Sequence, residues 1–199
     1  MSGGRRAALG LVLCLAAGVG LAWWTLFSPP AGARAELAAF LEAHPGLVPP
    51  GRAVFLIDLS RPSYLPRGYL LRPETGELLS VMHVAHGKES GWARVEHVSN
   101  VEGSHQSSIG AFAAAEVYEG SHGPTLRLHG LEPGVNDDAL ARAIVLHSAD
   151  YVSWRSIYDN GGRLGRSLGC PAVPHSERAR LLDALHDGGL VYVTWRAPT

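Results

Sequence analysis

Cysteine is nearly missing from this chain: two occur in 199 residues, Cys14 and Cys170. A disulfide-stapled scaffold is therefore excluded, and stability has to come from an apolar core. An excess of charge of one sign is missing too. Seventeen Lys and Arg stand against eighteen Asp and Glu, a formal net charge of −1, and the arginines are scattered among acids. That balance lacks the basic stripe of a nucleic-acid partner. There is no HExxH segment for a helix-borne zinc site, no internal repeat and no sign of a second globular domain. Charged residues make up only 18% and hydrophobic ones 46%, the composition of a folded domain rather than a disordered one.

Long apolar runs are also scarce, and the one present is at the start. Arg5 and Arg6 precede an apolar stretch over 7–27 with Trp23 and Trp24 near its end, followed by Ala31-Gly32-Ala33. A positive start, an apolar middle and an Ala-x-Ala site are the layout of an export signal. At about 1.5 Å per helical residue the run also approaches the ~30 Å hydrocarbon core, with tryptophans at its interface end. A cleaved signal and an uncleaved anchor both place the rest of the chain across a membrane. Leu13 is too bulky before Cys14 for a lipoprotein site. The expected organisation is a signal or anchor over 1–33, a helix and linker over 34–51, and one catalytic-type domain over 52–199.

Glycine and proline, by contrast, are plentiful, with 24 and 13 copies, and they punctuate short elements. Helices are expected over 34–44, with Leu37, Phe40 and Leu41 on one face, and over 176–186, capped by Ser176 and ended by Gly188-Gly189. Residues 151–158 read as one or two helical turns. Strands are expected over 53–59, 64–71, 78–86, 110–118, 125–128, 143–148 and 190–195. The body is thus mainly β with a few short helices.

Within that body Cys170 is the lone thiol, and it sits in Gly162-Arg163-Leu164-Gly165-Arg166-Ser167-Leu168-Gly169-Cys170-Pro171-Ala172-Val173-Pro174. An unpaired thiol in an exported domain is either a packed small hydrophobe or a reactive group. A nucleophilic thiol needs a base and room for substrate. Gly165 and Gly169 leave space. Pro171 has no N–H, so Cys170 and Gly169 are the local oxyanion donors. Arg163 and Arg166 are candidates for favouring the thiolate or holding a substrate carboxylate. Of ten histidines, His147 is the best candidate base, because it ends the apolar run 143–148 just before the polar Ser148.

The ordered blocks go further. His147-Ser148-Ala149-Asp150-Tyr151 and the Ser167-Leu168-Gly169-Cys170 ending resemble the murein L,D-transpeptidase catalytic domain family, of the YkuD-like kind. So do His83-Val84-Ala85-His86-Gly87, Ser99-Asn100, Gly103-Ser104-His105-Gln106-Ser107-Ser108-Ile109-Gly110, and Leu126-Arg127-Leu128-His129-Gly130. The resemblance covers most of the chain after about residue 50. It implies a β-sandwich-like fold with the cysteine in a groove. It implies a peptidoglycan L,D-transpeptidase, in which Cys170 takes up a tetrapeptide stem as a thioester, D-Ala leaves, and an amine of a second stem forms a 3→3 crosslink. With water instead, the same chemistry is an L,D-carboxypeptidase. A wall-binding domain without catalysis is the remaining alternative.

The same resemblance gives roles. Cys170 is the nucleophile and His147 the base, Ser167 and Gly169 shape the loop and oxyanion site, and Arg163, Arg166, Ser107, Ser108, Gly110, Ser148 and Tyr151 lie toward substrate. The far nitrogen of His147 is oriented by a backbone carbonyl or a serine. Ser148 stands where the family usually has glycine, and Leu168 where the wider family often has histidine. A zinc hydrolase using His83, His86, His97, His105, His122 or His129 is the rival enzyme. It is disfavoured because an odd three-residue step on a strand points His83 and His86 to opposite faces. No metal or other cofactor is expected. A monomer in the periplasm or cell envelope is expected, possessing peptidoglycan stems as partners, the membrane too if the N-terminal segment is retained, and no nucleic acid.

Overall fold

Five consecutive buried residues, Val54–Asp58, form strand β1 at the centre of the sheet. Their side chains alternate between two apolar clusters. Phe55 and Ile57 enter the main core. Val54 and Leu56 face the other way, toward Ala33 and Leu37 of helix α1 (Ala31–Ala43). Covered on both faces, β1 is apolar without interruption from Val54 to Ile57. The computed structural model describes residues 25–197. Most of the expected signal or anchor run therefore lies outside the described residues, and among these no helix is long and apolar enough to cross a membrane.

β1 pairs antiparallel with β2 (Gly68–Arg72), and β2 with β3 (Glu77–Met82). On its other side β1 pairs in parallel with β8 (Leu190–Thr194). Then follow β4 (Gly110–Gly120), β5 (Gly123–Gly130), β6 (Val145–Ser148) and the two-residue β7 (Ala172–Val173). The full order is β3-β2-β1-β8-β4-β5-β6-β7. The expected sandwich is thus one continuous run of eight strands. It curls, because one packed cluster joins Leu70 and Met82 from one end to Leu146 and Val173 from the other. Helix α3 (His175–Leu185) seals that cluster with Leu181 and Leu185.

Several expected boundaries move, each for a local reason. The second strand begins at Gly68 rather than 64, beyond Pro66, which has no N–H to give a ladder. The third stops at Met82 rather than 86, and the chain leaves β3 to form separate bridges from Ala85 and Gly87. Ser176 does not cap α3. The helix starts one residue earlier, behind Pro174, with no side-chain cap. A serine does cap helix α2 (Trp154–Asp159), where Ser153 accepts from the Ser156 N–H. β7 was not expected at all.

Fully buried Asn136 ties β4 to the turn that follows β5. It donates to the carbonyls of Ile109 and Ala111, each at 2.9 Å, and accepts from the Glu132 N–H at 2.9 Å. At about 1 kcal/mol for each buried hydrogen bond lost, Asn136→Ala should cost on the order of 3 kcal/mol. Urea unfolding should show this as a lower midpoint at unchanged slope; a shift within error would mean the staple contributes nothing.

Candidate active site

The loop before β7 is held from three sides. The Ser167 N–H donates to His86 O at 3.0 Å, and its carbonyl accepts from the Lys88 N–H at 2.8 Å. Its hydroxyl donates to Cys170 O at 2.6 Å and accepts from the Gly169 N–H at 3.1 Å, closing a tight turn beneath the thiol. Gly169 adopts φ +126°, and any Cβ there would stand 2.9 Å from Gln106 O, so only glycine fits. Beyond the cysteine, Ala172 pairs with Ala85 on one side and His147 on the other. This puts the Cys170 loop against the end of β6.

His147 is buried, only 4% exposed. Its Nδ1 meets the Ser148 carbonyl at 3.2 Å. A carbonyl only accepts, so Nδ1 carries the proton and Nε2 keeps its lone pair. Cys170 and His147 line one groove of about 520 Å³, together with Tyr118, His122, Arg142, Tyr151 and Arg166. The lining includes two guanidinium groups and no carboxylate. The thiol donates to Ala143 O at 3.6 Å. Ala143 has φ +52°, an uncommon conformation for a side chain with a Cβ, and it is this residue whose carbonyl meets the sulfur.

Burial dominates both titrations. It pushes the Cys170 thiol up; the Val145 N–H, the Arg142 charge and the N–H of Cys170 itself pull the other way without overcoming it. It pushes His147 down, opposed by the Ser148 carbonyl and reinforced by His122 and His175. Burial thus favours the neutral form of each group, and the thiol's hydrogen bond goes to Ala143 O rather than to His147.

The remaining expected residues divide into groove and support. Tyr151, Arg166 and Ser167 line the groove. Burial and nearby Cys170 hold the Tyr151 phenol protonated. Arg166 donates to Lys88 O at 2.8 Å and Gly91 O at 3.0 Å, and lies 5.1 Å from the Trp92 ring centre. Arg163 stacks on the same ring at 3.8 Å and is not among the groove residues. Ser107 and Ser108 are buried below the loop. Ser107 accepts from the Gly87 N–H at 2.9 Å, and Ser108 donates to Ser99 O at 3.3 Å. Gly110 pairs with Val193 in the sheet, away from the groove. The Gly169 N–H is taken by Ser167, so it is not a free oxyanion donor here. Ser148 points behind the strand, where its hydroxyl meets His175 Nδ1 at 2.8 Å.

Among the groove residues that sequence reasoning did not place there, two make the most specific contacts: Arg142, which it never named, and His122, which it considered only as a zinc ligand. Arg142 donates to Ser99 O, to Ser108, to Ser104 Oγ at 3.2 Å and to Gln106 O at 2.6 Å, latching the 99–108 loop beside the thiol. Its only signal is its place five residues before His147. His122 stacks on His147, ring centres 4.4 Å apart and planes 19° apart. Two further histidines of the zinc reading are engaged elsewhere. His83 meets Tyr64 O at 3.2 Å, and His86 meets Arg67 at 2.7 Å and is driven down to about 3 by burial and that guanidinium. Among the described residues no three His, Cys, Asp or Glu side chains gather as a metal site.

The fold is similar to that of an L,D-transpeptidase from Mycobacterium smegmatis (15% identity, TM-score 0.45, 72% of this chain and 58% of that one). It is also similar to L,D-transpeptidase 1 of Mycobacterium tuberculosis (16%, 0.41, 71% and 61%). A third likeness is to the helical cell shape determining protein Pgp2 of Campylobacter jejuni (13%, 0.51, 85% and 58%). The chain thus spans less than two thirds of the length of these structures. No curated protein matches it. Residues 35–194 match the model of the L,D-transpeptidase catalytic domain, and the chain belongs to that family.

Because burial raises the thiol, alkylation of Cys170 by iodoacetamide should rise with pH through a midpoint above that of free cysteine measured alongside. Arg142→Met should slow alkylation several-fold at about pH 8 while leaving the high-pH plateau alone. An Arg142→Met curve that overlays the wild type would show that this charge does not act on the sulfur.

Proposed function

We propose that this chain is a peptidoglycan L,D-transpeptidase in which Cys170 is the nucleophile and His147 its base. The observation that carries the reading is that the lone thiol of the body and a buried imidazole with a bare Nε2 face one groove. Since burial favours the neutral form of both groups, the proton moves only as the bond forms. Substrate entry expels water and brings the carbonyl carbon of the L,D-peptide bond to Sγ. Sγ attacks, its proton passes to His147 Nε2, and the carbonyl oxygen becomes an oxyanion. The N–H groups of Cys170 and Val145 already face the sulfur and are the local donors for that charge.

The tetrahedral adduct collapses. The C–N bond breaks, the D-Ala nitrogen takes the proton from His147, and a thioester remains on Cys170. An amine of a second stem then gives its proton to His147 and attacks the thioester. The new C–N bond forms, the C–S bond breaks, and sulfur regains the proton. The energy of the old amide is carried in the thioester, so no nucleotide is needed. Arg166 and Arg142 give the groove a positive field, which suits a stem rich in carboxylates. The 7–27 run supports export to the cell envelope, as a cleaved signal or as an anchor.

The test is intact mass of the full chain after incubation with a disaccharide tetrapeptide. A thioester adduct and free D-Ala should appear with wild type and not with Cys170→Ala. His147→Ala should slow adduct formation by about 10²–10⁴. Equal D-Ala release by wild type and Cys170→Ala would end the proposal. Dimeric against tripeptide products separate crosslinking from trimming.

A further inference from the structure

The stacked pair of imidazoles at the end of the groove is not used by the chemistry above. His122 reaches His147 from a hairpin. β4 and β5 close their register at Gly120 and Gly123, so Ser121 and His122 are the whole turn. The ladder slips between Ala114 and Val117, where β4 holds one residue more than β5. Such a bulge bends and twists a hairpin, and this tip lies over the groove, where Ser121 and His122 are both lining residues. The two rings are nearly parallel at 4.4 Å, an offset-stack distance. His122 itself is exposed, whereas the ring it covers is not.

His147 needs such a partner. Its one ring hydrogen bond, from Nδ1 to the carbonyl of its own neighbour, is 3.2 Å long. That bond limits rotation about the ring axis only weakly. A flat ring laid against one face restricts the swing and removes water from that face. We propose that His122 is a positioning residue for His147: its ring, laid flat on the imidazole, fixes the plane in which Nε2 meets the thiol and shields it from water. This rests on the reading of His147 as the base.

A pH consequence follows. Covering an imidazole disfavours its charged form. A base must be neutral to accept a proton, so a covered His147 stays competent into mildly acid solution, where an uncovered one is already protonated. The charged and titratable groups around it are placed as follows. From the hairpin come His122 and Tyr118; from the turn before β6, Arg142; from the segment after it, Tyr151; from the thiol loop, Cys170 and Arg166. Behind the strand, His175 and Arg178 reach Ser148 Oγ, and His175 contacts Asp150 at 3.2 Å. All but His122 are common to the variants below, so differences among these report on position 122.

In the full chain held in detergent, the ring signals of His147 are followed by NMR from about pH 5 to pH 8. They are assigned by their loss in His147→Gln. His122→Ala should move the His147 midpoint to higher pH, because the ring is uncovered. His122→Phe restores the cover without a titrating group and should keep the midpoint at or below the wild-type value. Adduct formation at about pH 6 should fall about 2- to 5-fold in His122→Ala, the scale of one lost ring contact, and recover in His122→Phe. An unmoved midpoint in His122→Ala overturns the proposal. A Phe variant that titrates like the Ala variant also overturns it, since charge and not cover would then be the cause. If wild type forms no thioester, the catalytic reading fails while the NMR midpoints still decide whether His122 covers His147.

Discussion

One residue, Ala172, joins the parts on which the site depends. Its N–H donates to Ala85 O at 3.4 Å, its carbonyl accepts from the Ala85 N–H at 2.8 Å, and on its other side it registers with His147. Three segments distant in sequence are thereby fixed within one strand spacing. Cys170 lies two residues upstream and cannot leave the end of β6 without breaking those bonds. The small cluster of Ala85, Ala149, Val152, Leu164 and Ala172 packs behind the pairing. Small side chains permit the close approach, and their burial makes the exposed-backbone alternative costly.

The electrostatics of the groove follow from the same close packing. Burial opposes charge on both the thiol and the imidazole, and at the thiol the Arg142 charge does not reverse it. The buried Arg67 below the site shows the same balance. Its guanidinium is driven down to about 9 by burial, against the pull of Asp58. It is held by Val84 O at 2.8 Å, Arg61 O at 2.9 Å and a neutral His86. That network stiffens the 83–87 segment, which in turn carries the Ala85 pairing. Two histidines that as sequence suggested metal ligands are thus structural, each spent on a backbone carbonyl or a cation.

Much of the fold was legible because it rests on local pattern. The apolar run at 53–59 became β1, the strands expected over 110–118 and 125–128 became β4 and β5, and the helix expected over 176–186 became α3. The failures have a common cause. β7 is two residues long, too short for a periodic signal, and exists only because its neighbours pair with it. The Ser176 cap was read from residue type, whereas the helix start was set by the Pro174 backbone. Ser107, Ser108 and Gly110 were read as facing substrate from a linear motif. The fold places them outside the groove lining, the two serines buried, since which face a loop residue presents depends on what packs over it.

The sequence by itself determined the alternation that builds a mainly β body, the single thiol in a glycine-bounded loop, and the histidine that ends a buried strand. These are properties of residue type and near neighbours, which short-range sterics and hydrophobic burial convert directly into local structure. Only the tertiary structure decided which arginine stands by the sulfur, which carbonyl orients His147, and which second histidine lies on its face. Arg142 and His122 reach the groove from two different connections, and the sheet's curl and the hairpin's bulge bring them there. Such contacts depend on the path of the backbone through space, which no window of sequence contains.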